Sequence, residues 1–263
     1  MIIKKQENSI YFIGDIMNST SFSFLLTILA GFSSMLGCLV IFIKKIDHNK
    51  IIACSLAFAS GVMLTVSVTD LIPESLKLID FKNYYLVLLI SFISIFLGIF
   101  LSVFLNDITE KKTNNNILYK TGLLSMLAII IHNIPEGIIT FITANSNISL
   151  GISLAIAIAL HNIPEGISIS VPIYYSTNSK LKAILYTFIS AISEPFGAVI
   201  TYLFLINYIN NTILGILFSI IAGIMLEISI FNLLPTSKKY HYDKARLIFF
   251  ILGVFLMVLK FLI

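Results

Sequence analysis

Charge is what this 263-residue chain has least of. Only 11% of its residues are Asp, Glu, Lys or Arg, against about 25% in a soluble domain, while 58% are hydrophobic. With a mean hydropathy of +1.00, that scarcity excludes an ordinary soluble domain and points to an integral membrane protein. There are only two cysteines, Cys38 and Cys54, both in or beside apolar stretches. A pair so placed argues for small buried hydrophobes rather than a disulfide framework or metal ligands. No stretch outside the apolar segments is long enough to form a second domain, so a single transmembrane domain over 1–263 is expected. The first apolar stretch lies too far from Met1, and looks too uncleavable, to read as a signal peptide.

The expected fold is therefore an all-α integral membrane protein. Apolar stretches of about 20 residues, the length that spans a bilayer, recur at about 22–43, 51–76, 84–105, 117–143, 148–174, 182–208, 212–236 and 246–263. That predicts eight transmembrane helices, several long enough to require tilt or kinks. Basic residues are distributed unevenly between the connections. Those after spans 1, 3, 5 and 7 hold twelve, from Lys44 to Arg246, and the opposite side holds five: Lys4, Lys5, Lys77, Lys82 and Lys260. The positive-inside bias then places both termini outside the cytoplasm, with 1–21 as an extracytoplasmic segment and the polar run 106–116 as a cytoplasmic loop. The net charge of +4 is accounted for by these loops and calls for no nucleic-acid partner.

Against this background, one hexapeptide stands out. His-Asn-Ile-Pro-Glu-Gly occurs at His132–Gly137 and again at His161–Gly166. Each ionisable group near a bilayer centre costs roughly 2.5–3.5 kcal/mol on insertion scales. In both copies His and Glu are four residues apart and share one helix face. Two such helices each supply half of a metal cage. Pro135 and Pro164 leave the carbonyls of Ile131 and Leu160 without a helical donor and kink the helix beside those ligands. Gly137 and Gly166 admit a close neighbouring helix. Asn133 and Asn162 lie about 100° off the His–Glu face, the rotation of one helical residue. There they suit either interhelical hydrogen bonding or ligation of a second, adjacent ion.

Six carboxylates fall inside spans: Asp70, Glu74, Glu136, Glu165, Glu194 and Glu227. The span centres contain no Lys or Arg. Such carboxylates must be protonated, face water or bind metal cations, and the adjacent imidazoles favour a metal such as zinc or iron(II), with manganese or cobalt as alternatives. Glu194, in Ser193-Glu-Pro, repeats the pairing of Glu with Pro and is expected at the same site. On span 2, Met63, Ser67, Asp70 and Glu74 share one face. Met63 is a thioether ligand or ordinary packing. Asp70 and Glu74 are a cation-attracting mouth or a solvated helix end.

A second repeat relates Gly61–Ser75 to Gly223–Ser237 at a constant offset of 162. It lies on spans 2 and 7, which run in opposite directions in an eight-span chain, as do spans 4 and 5. An inverted repeat is expected, with spans 1–3 related to 6–8 and span 4 to 5, as in secondary transporters.

The paired hexapeptides, Ser193-Glu194-Pro195 and eight spans with external termini resemble the ZIP (Zrt-, Irt-like) divalent metal transporters over essentially the whole chain. The resemblance implies a two-metal transport site formed by His132, Asn133, Glu136, Asn162, Glu165 and Glu194, with Met63 from span 2 and His161 as a further ligand or pathway residue. It implies uptake of zinc, or of iron, manganese, cobalt or cadmium ions, as transported substrate with no prosthetic group. Divalent metal ions and the lipid bilayer are the expected partners, and a homodimer is compatible with the pattern. The chain departs from the family where span 7 usually reads Tyr-Ile-Ser-Leu-Asp-Glu-Leu-Leu-Pro. Here those positions are Glu227–Pro235, so acids near one end are lost and one is gained deeper in. Segment 106–116 also lacks the histidines common in that loop. A membrane-embedded dinuclear metalloenzyme is the alternative. It is disfavoured by the lack of an Arg- or Lys-rich head-group site, and a metal-sensing receptor by the lack of a signalling domain.

Overall fold

The computed structural model describes residues 19–43, 46–112, 116–205 and 208–259. The N-terminal segment expected at 1–21 falls almost wholly outside them. The described residues form helices joined by short connections, with no strand among them. Helix α1 (Ser19–Phe32) continues as a tighter 3₁₀ stretch, Ser33–Phe42. Helix α2 (His48–Val66) continues through a widened π turn, Ser67–Leu71, into Ile72–Leu78. Next come α3 (Tyr84–Lys112), α4 (Ile117–Ser146), α5 (Ile148–Thr177) and α6 (Lys180–Ile200, with a π turn Thr201–Leu205). The last are α7 (Asn211–Glu227, π turn Ile228–Leu233, then Leu234–Lys238) and α8 (Asp243–Leu259). The first seven are long and apolar enough to cross a membrane. α8 has 17 described residues.

Helix α3 runs through Lys112, so the polar run expected as a loop from 106 is helical up to that residue. Asn106, Asp107, Glu110 and Lys111 continue the α3 hydrogen-bond ladder, and an ion pair from Glu110 to Lys120 ties its end to α4. The polar residues did not mark where the helix stops.

The π turns of α2 and α7 have a shared local cause. Pro73 and Pro235 cannot donate to Thr69 and Phe231, the carbonyls four residues back, and the chain widens just ahead of each proline. Helices α4 and α5 form a tight antiparallel hairpin. Asn147 alone connects them, closing α4 and capping α5 by accepting from the Leu150 N–H at 3.1 Å.

Helices α1, α4, α5 and α6 pack as one group and α2, α3, α7 and α8 as another. Backbone-to-backbone approaches recur in matched pairs. A Cβ at Gly61 would lie 2.3 Å from the Phe250 oxygen, and one at Gly223 2.1 Å from the Ile95 oxygen. Asn133 donates to the Ser190 carbonyl at 3.3 Å, and Asn162 to the Ala30 carbonyl at 3.0 Å. The α2/α7 members of these pairs differ by 162 positions and the α4/α5 members by 29.

Candidate metal site

Because α4 and α5 are antiparallel, the hexapeptides run past each other. His132 Nε2 lies 3.3 Å from Glu136 Oε2 on its own helix and 3.2 Å from Glu165 Oε1 on the facing one. His161 Nε2 lies 3.1 Å from Glu136 Oε1. Side-chain donors of His132, His161 and Glu165 all fall within 4.8 Å of one another. All four side chains are buried.

Helix α6 enters beside them through glycine. A Cβ at Gly137 would sit 1.9 Å from the Glu194 carbonyl oxygen, and one at Gly197 2.2 Å from that of Ile134. This seam brings Glu194 Oε2 to 2.8 Å from Asn162 Nδ2. The same amide nitrogen donates to the Ala30 carbonyl. Both partners are acceptors, so the nitrogen must face them and the amide oxygen points elsewhere. The alternatives for the asparagines are thus not exclusive: their nitrogens bond between helices and leave their oxygens free.

Most of the buried side-chain polar atoms left without a hydrogen-bond partner among the described residues belong to this site; the others are mainly hydroxyls. Buried without a hydrogen-bond partner are Asn133 Oδ1, Asn162 Oδ1, Glu136 Oε2, both Glu165 oxygens, Glu194 Oε1, His132 Nδ1 and Nε2, and His161 Nδ1. Buried polar groups are normally paired, and each orphan costs about 1–3 kcal/mol. No Lys or Arg comes within ion-pair distance of this cluster among the described residues. Carboxylate and amide oxygens converging on two imidazoles, with no Lys or Arg beside them among the described residues, are chemically suited to a small multivalent cation, and imidazole with carboxylate suits zinc or a related transition metal.

A vestibule of about 290 Å³ leads to the cluster from the Leu78 end of α2. It is lined by Asp70, Glu74 and Lys77 at its mouth and by Glu136 and His161 at its floor. Asp70 and Glu74 therefore border a passage to the site. Lys77 was not legible as part of that mouth. It lies 3.0 Å from Glu74, at i,i+3 on a turn that only the structure places there. Met63 is fully buried in the main hydrophobic cluster, to which α2, α4, α5 and α7 contribute most; its sulfur as a ligand belongs to the proposal below. Glu227 stands apart, bonded to Ser102 and Asn232.

Fold and site together define a multi-pass α-helical membrane protein with a buried imidazole–carboxylate cage. The family model described as ZIP Zinc transporter matches residues 109–260. The chain is 40% identical to "Zinc transporter ZupT" of Clostridium perfringens, over 95% of this chain and 98% of that protein. It is 37% identical to the protein of the same name in Streptococcus mutans, covering 92% and 97%, and 38% to that of Campylobacter jejuni, covering 84% and 88%. The chain belongs to the ZIP zinc transporter family.

Proposed function

We propose that this protein takes up divalent transition-metal cations, zinc foremost, across the cell membrane through an intramembrane two-ion site. The observation that carries this reading is the convergence of unpaired buried acceptors on α4, α5 and α6 at the floor of an open vestibule. The names of the relatives support zinc as substrate. Iron, manganese, cobalt and cadmium ions suit the same nitrogen and oxygen donors. The protein is a transporter and not an enzyme, and the metal is its cargo.

One ion is held by His132, His161, Glu136 and Glu165, with Met63 closing its shell from α2. Asn133, Asn162 and Glu194 hold a second ion, which shares Glu136 and Glu165 with the first. Each ion sheds water in exchange for these donors, and the carboxylates balance its charge. The basic loops orient the chain with both termini outside, so the vestibule faces outward. The recurring contacts of the two helix groups support an inverted repeat whose halves rock to expose the site alternately to either side. At the opposite end, Thr121 and Thr236 bond across α4 and α7 at 3.1 Å, which holds the inner side shut. Zinc uptake into proteoliposomes containing only this protein tests the reading: saturable accumulation is expected, and uptake no faster than in protein-free vesicles would refute it.

A further inference from the structure

Glu227 is the buried carboxylate that the site leaves unused. Ser102 Oγ donates to its Oε2 at 2.5 Å, and Asn232 Nδ2 lies 3.2 and 3.3 Å from its two oxygens. No cation comes within ion-pair distance among the described residues. Lys120 acts on it only from farther off and is itself paired with Glu110. A buried carboxylate held only by neutral donors is costly in a membrane protein. Helix packing alone would be served as well by a neutral side chain.

The repeat locates Glu227 relative to the metal's path. At the α2-to-α7 offset of 162, the vestibule residues Asp70, Leu71, Pro73 and Glu74 fall on Asn232, Leu233, Pro235 and Thr236. At the α4-to-α5 offset, the floor residues Glu136 and His161 exchange with Glu165 and His132. When the halves rock, a mirror vestibule should therefore open toward the cytoplasm along α7, past Asn232 and Thr236. The Thr121–Thr236 bond that closes that end includes one of these residues.

The mirror vestibule differs from the outer one in chemistry. Both outer acids have neutral counterparts there, Asn232 and Thr236. A doubly charged ion leaving the cage would meet no carboxylate on α7 except Glu227, which lies one widened π turn before Asn232 and is bonded to it.

We propose that Glu227 is the carboxylate that receives the cation on the cytoplasmic side, doing inside what Asp70 does outside. In the outward-facing state Ser102 and Asn232 hold it. As the inner side opens, the carboxylate and the Asn232 amide oxygen turn to the ion. One carboxylate with neutral oxygens binds more weakly than the imidazole cage. That suits release, which needs an ion to be drawn out and not retained.

This inference rests on the transport reading, so the test compares variants with an unmodified chain that moves zinc. In proteoliposomes, Glu227→Gln should retain the zinc stoichiometry and outside KM of the unmodified chain. Its turnover should fall about tenfold, the loss expected on removing one charge-assisted contact worth roughly 1.4 kcal/mol. Adding Asn232→Asp to Glu227→Gln should restore most of the turnover, because it returns an acid to the counterpart of Asp70. The exchange preserves the hydrogen bond between the two positions, so the melting temperature is read alongside: Glu227→Gln should lose turnover at an unchanged melting temperature, which a purely structural role would not give. Unmodified turnover in Glu227→Gln, or a double variant as slow as the single one, would overturn the proposal. If Glu227→Gln does not fold, Asn232→Cys in the otherwise native chain serves instead. An impermeant maleimide should label it from the cytoplasmic side, more slowly with zinc present; no labelling from that side, or no effect of zinc, would overturn the proposal. An unmodified chain that moves no zinc would refute the transport reading itself.

Discussion

Alanine at Gly137 should force α4 and α6 apart. Its Cβ would lie 1.9 Å from the backbone oxygen of Glu194, where ordinary contact begins at 3.4 Å. The helices must therefore separate locally by roughly 1.5 Å, the difference between those two distances. No side-chain rotation relieves the clash, because the opposing atom is backbone. Gly197 makes the same kind of contact one turn along the seam, so bending elsewhere offers little relief. Overpacking costs about 1–3 kcal/mol, and moving a rigid helix places this change near the top, about 3 kcal/mol. At roughly 2–4 °C per kcal/mol for a chain of this size, Gly137→Ala should melt about 6–12 °C below the unmodified protein in detergent. Gly166→Ala, whose Cβ would meet the Ser34 oxygen at 1.8 Å, should lose a similar amount. The two variants should differ in metal binding. Gly137→Ala displaces the backbone that carries Glu194 and should lose the second zinc in calorimetric titration, whereas Gly166→Ala presses on α1 and should keep it. A Gly137→Ala melting point within about 2 °C of the unmodified protein would show that the seam yields freely, and the packing argument would fail.

Glu136→Ala or Glu165→Ala should abolish zinc uptake while leaving the protein folded, since each removes a shared carboxylate and neither adds bulk; near-normal uptake in either purified variant would contradict the site. Uptake should fall as the outside pH is lowered from about 7 to about 5, because protons compete for imidazole and carboxylate donors and an ordinary imidazole titrates near 6.5. A rate that rises steadily with acid would instead indicate proton-driven import. Glu194→Ala should reduce bound zinc from about two ions to about one and slow transport less than Glu136→Ala, since the first ion keeps both imidazoles and both shared carboxylates. Anomalous scattering from crystals of both forms would decide it: two full peaks in the variant would rule out a private role for Glu194.

The site was legible because the membrane makes polarity rare. A His-Asn-Ile-Pro-Glu-Gly repeat in a soluble protein would be unremarkable, whereas in an apolar span it can only be there for a reason. Spacing could place His132 and Glu136 on one face, but not pair His161 with Glu136. That pairing depends on the antiparallel α4–α5 hairpin and its depth register. The Ser102–Glu227 contact was invisible for the same reason, since it depends on how far α3 slides along α7. The reading of 106–116 erred by taking polarity for irregular backbone. Polar side chains do not by themselves end a helix, and α3 keeps its hydrogen-bond ladder through Lys112.

The single-residue connection at Asn147 also bears on how the protein is made. His132 and Glu165 are brought together by one hairpin of consecutive helices, so this part of the cage needs no later segment of the chain. A hairpin this tight can enter the bilayer as a unit, with its acids already facing its imidazoles. The cost of moving those groups out of water is then shared within the pair and not borne by isolated helices. Glu194 arrives later, on α6, and locks against Gly137 only after the hairpin is in place. The order of the chain thus matches the order in which its polar groups need partners.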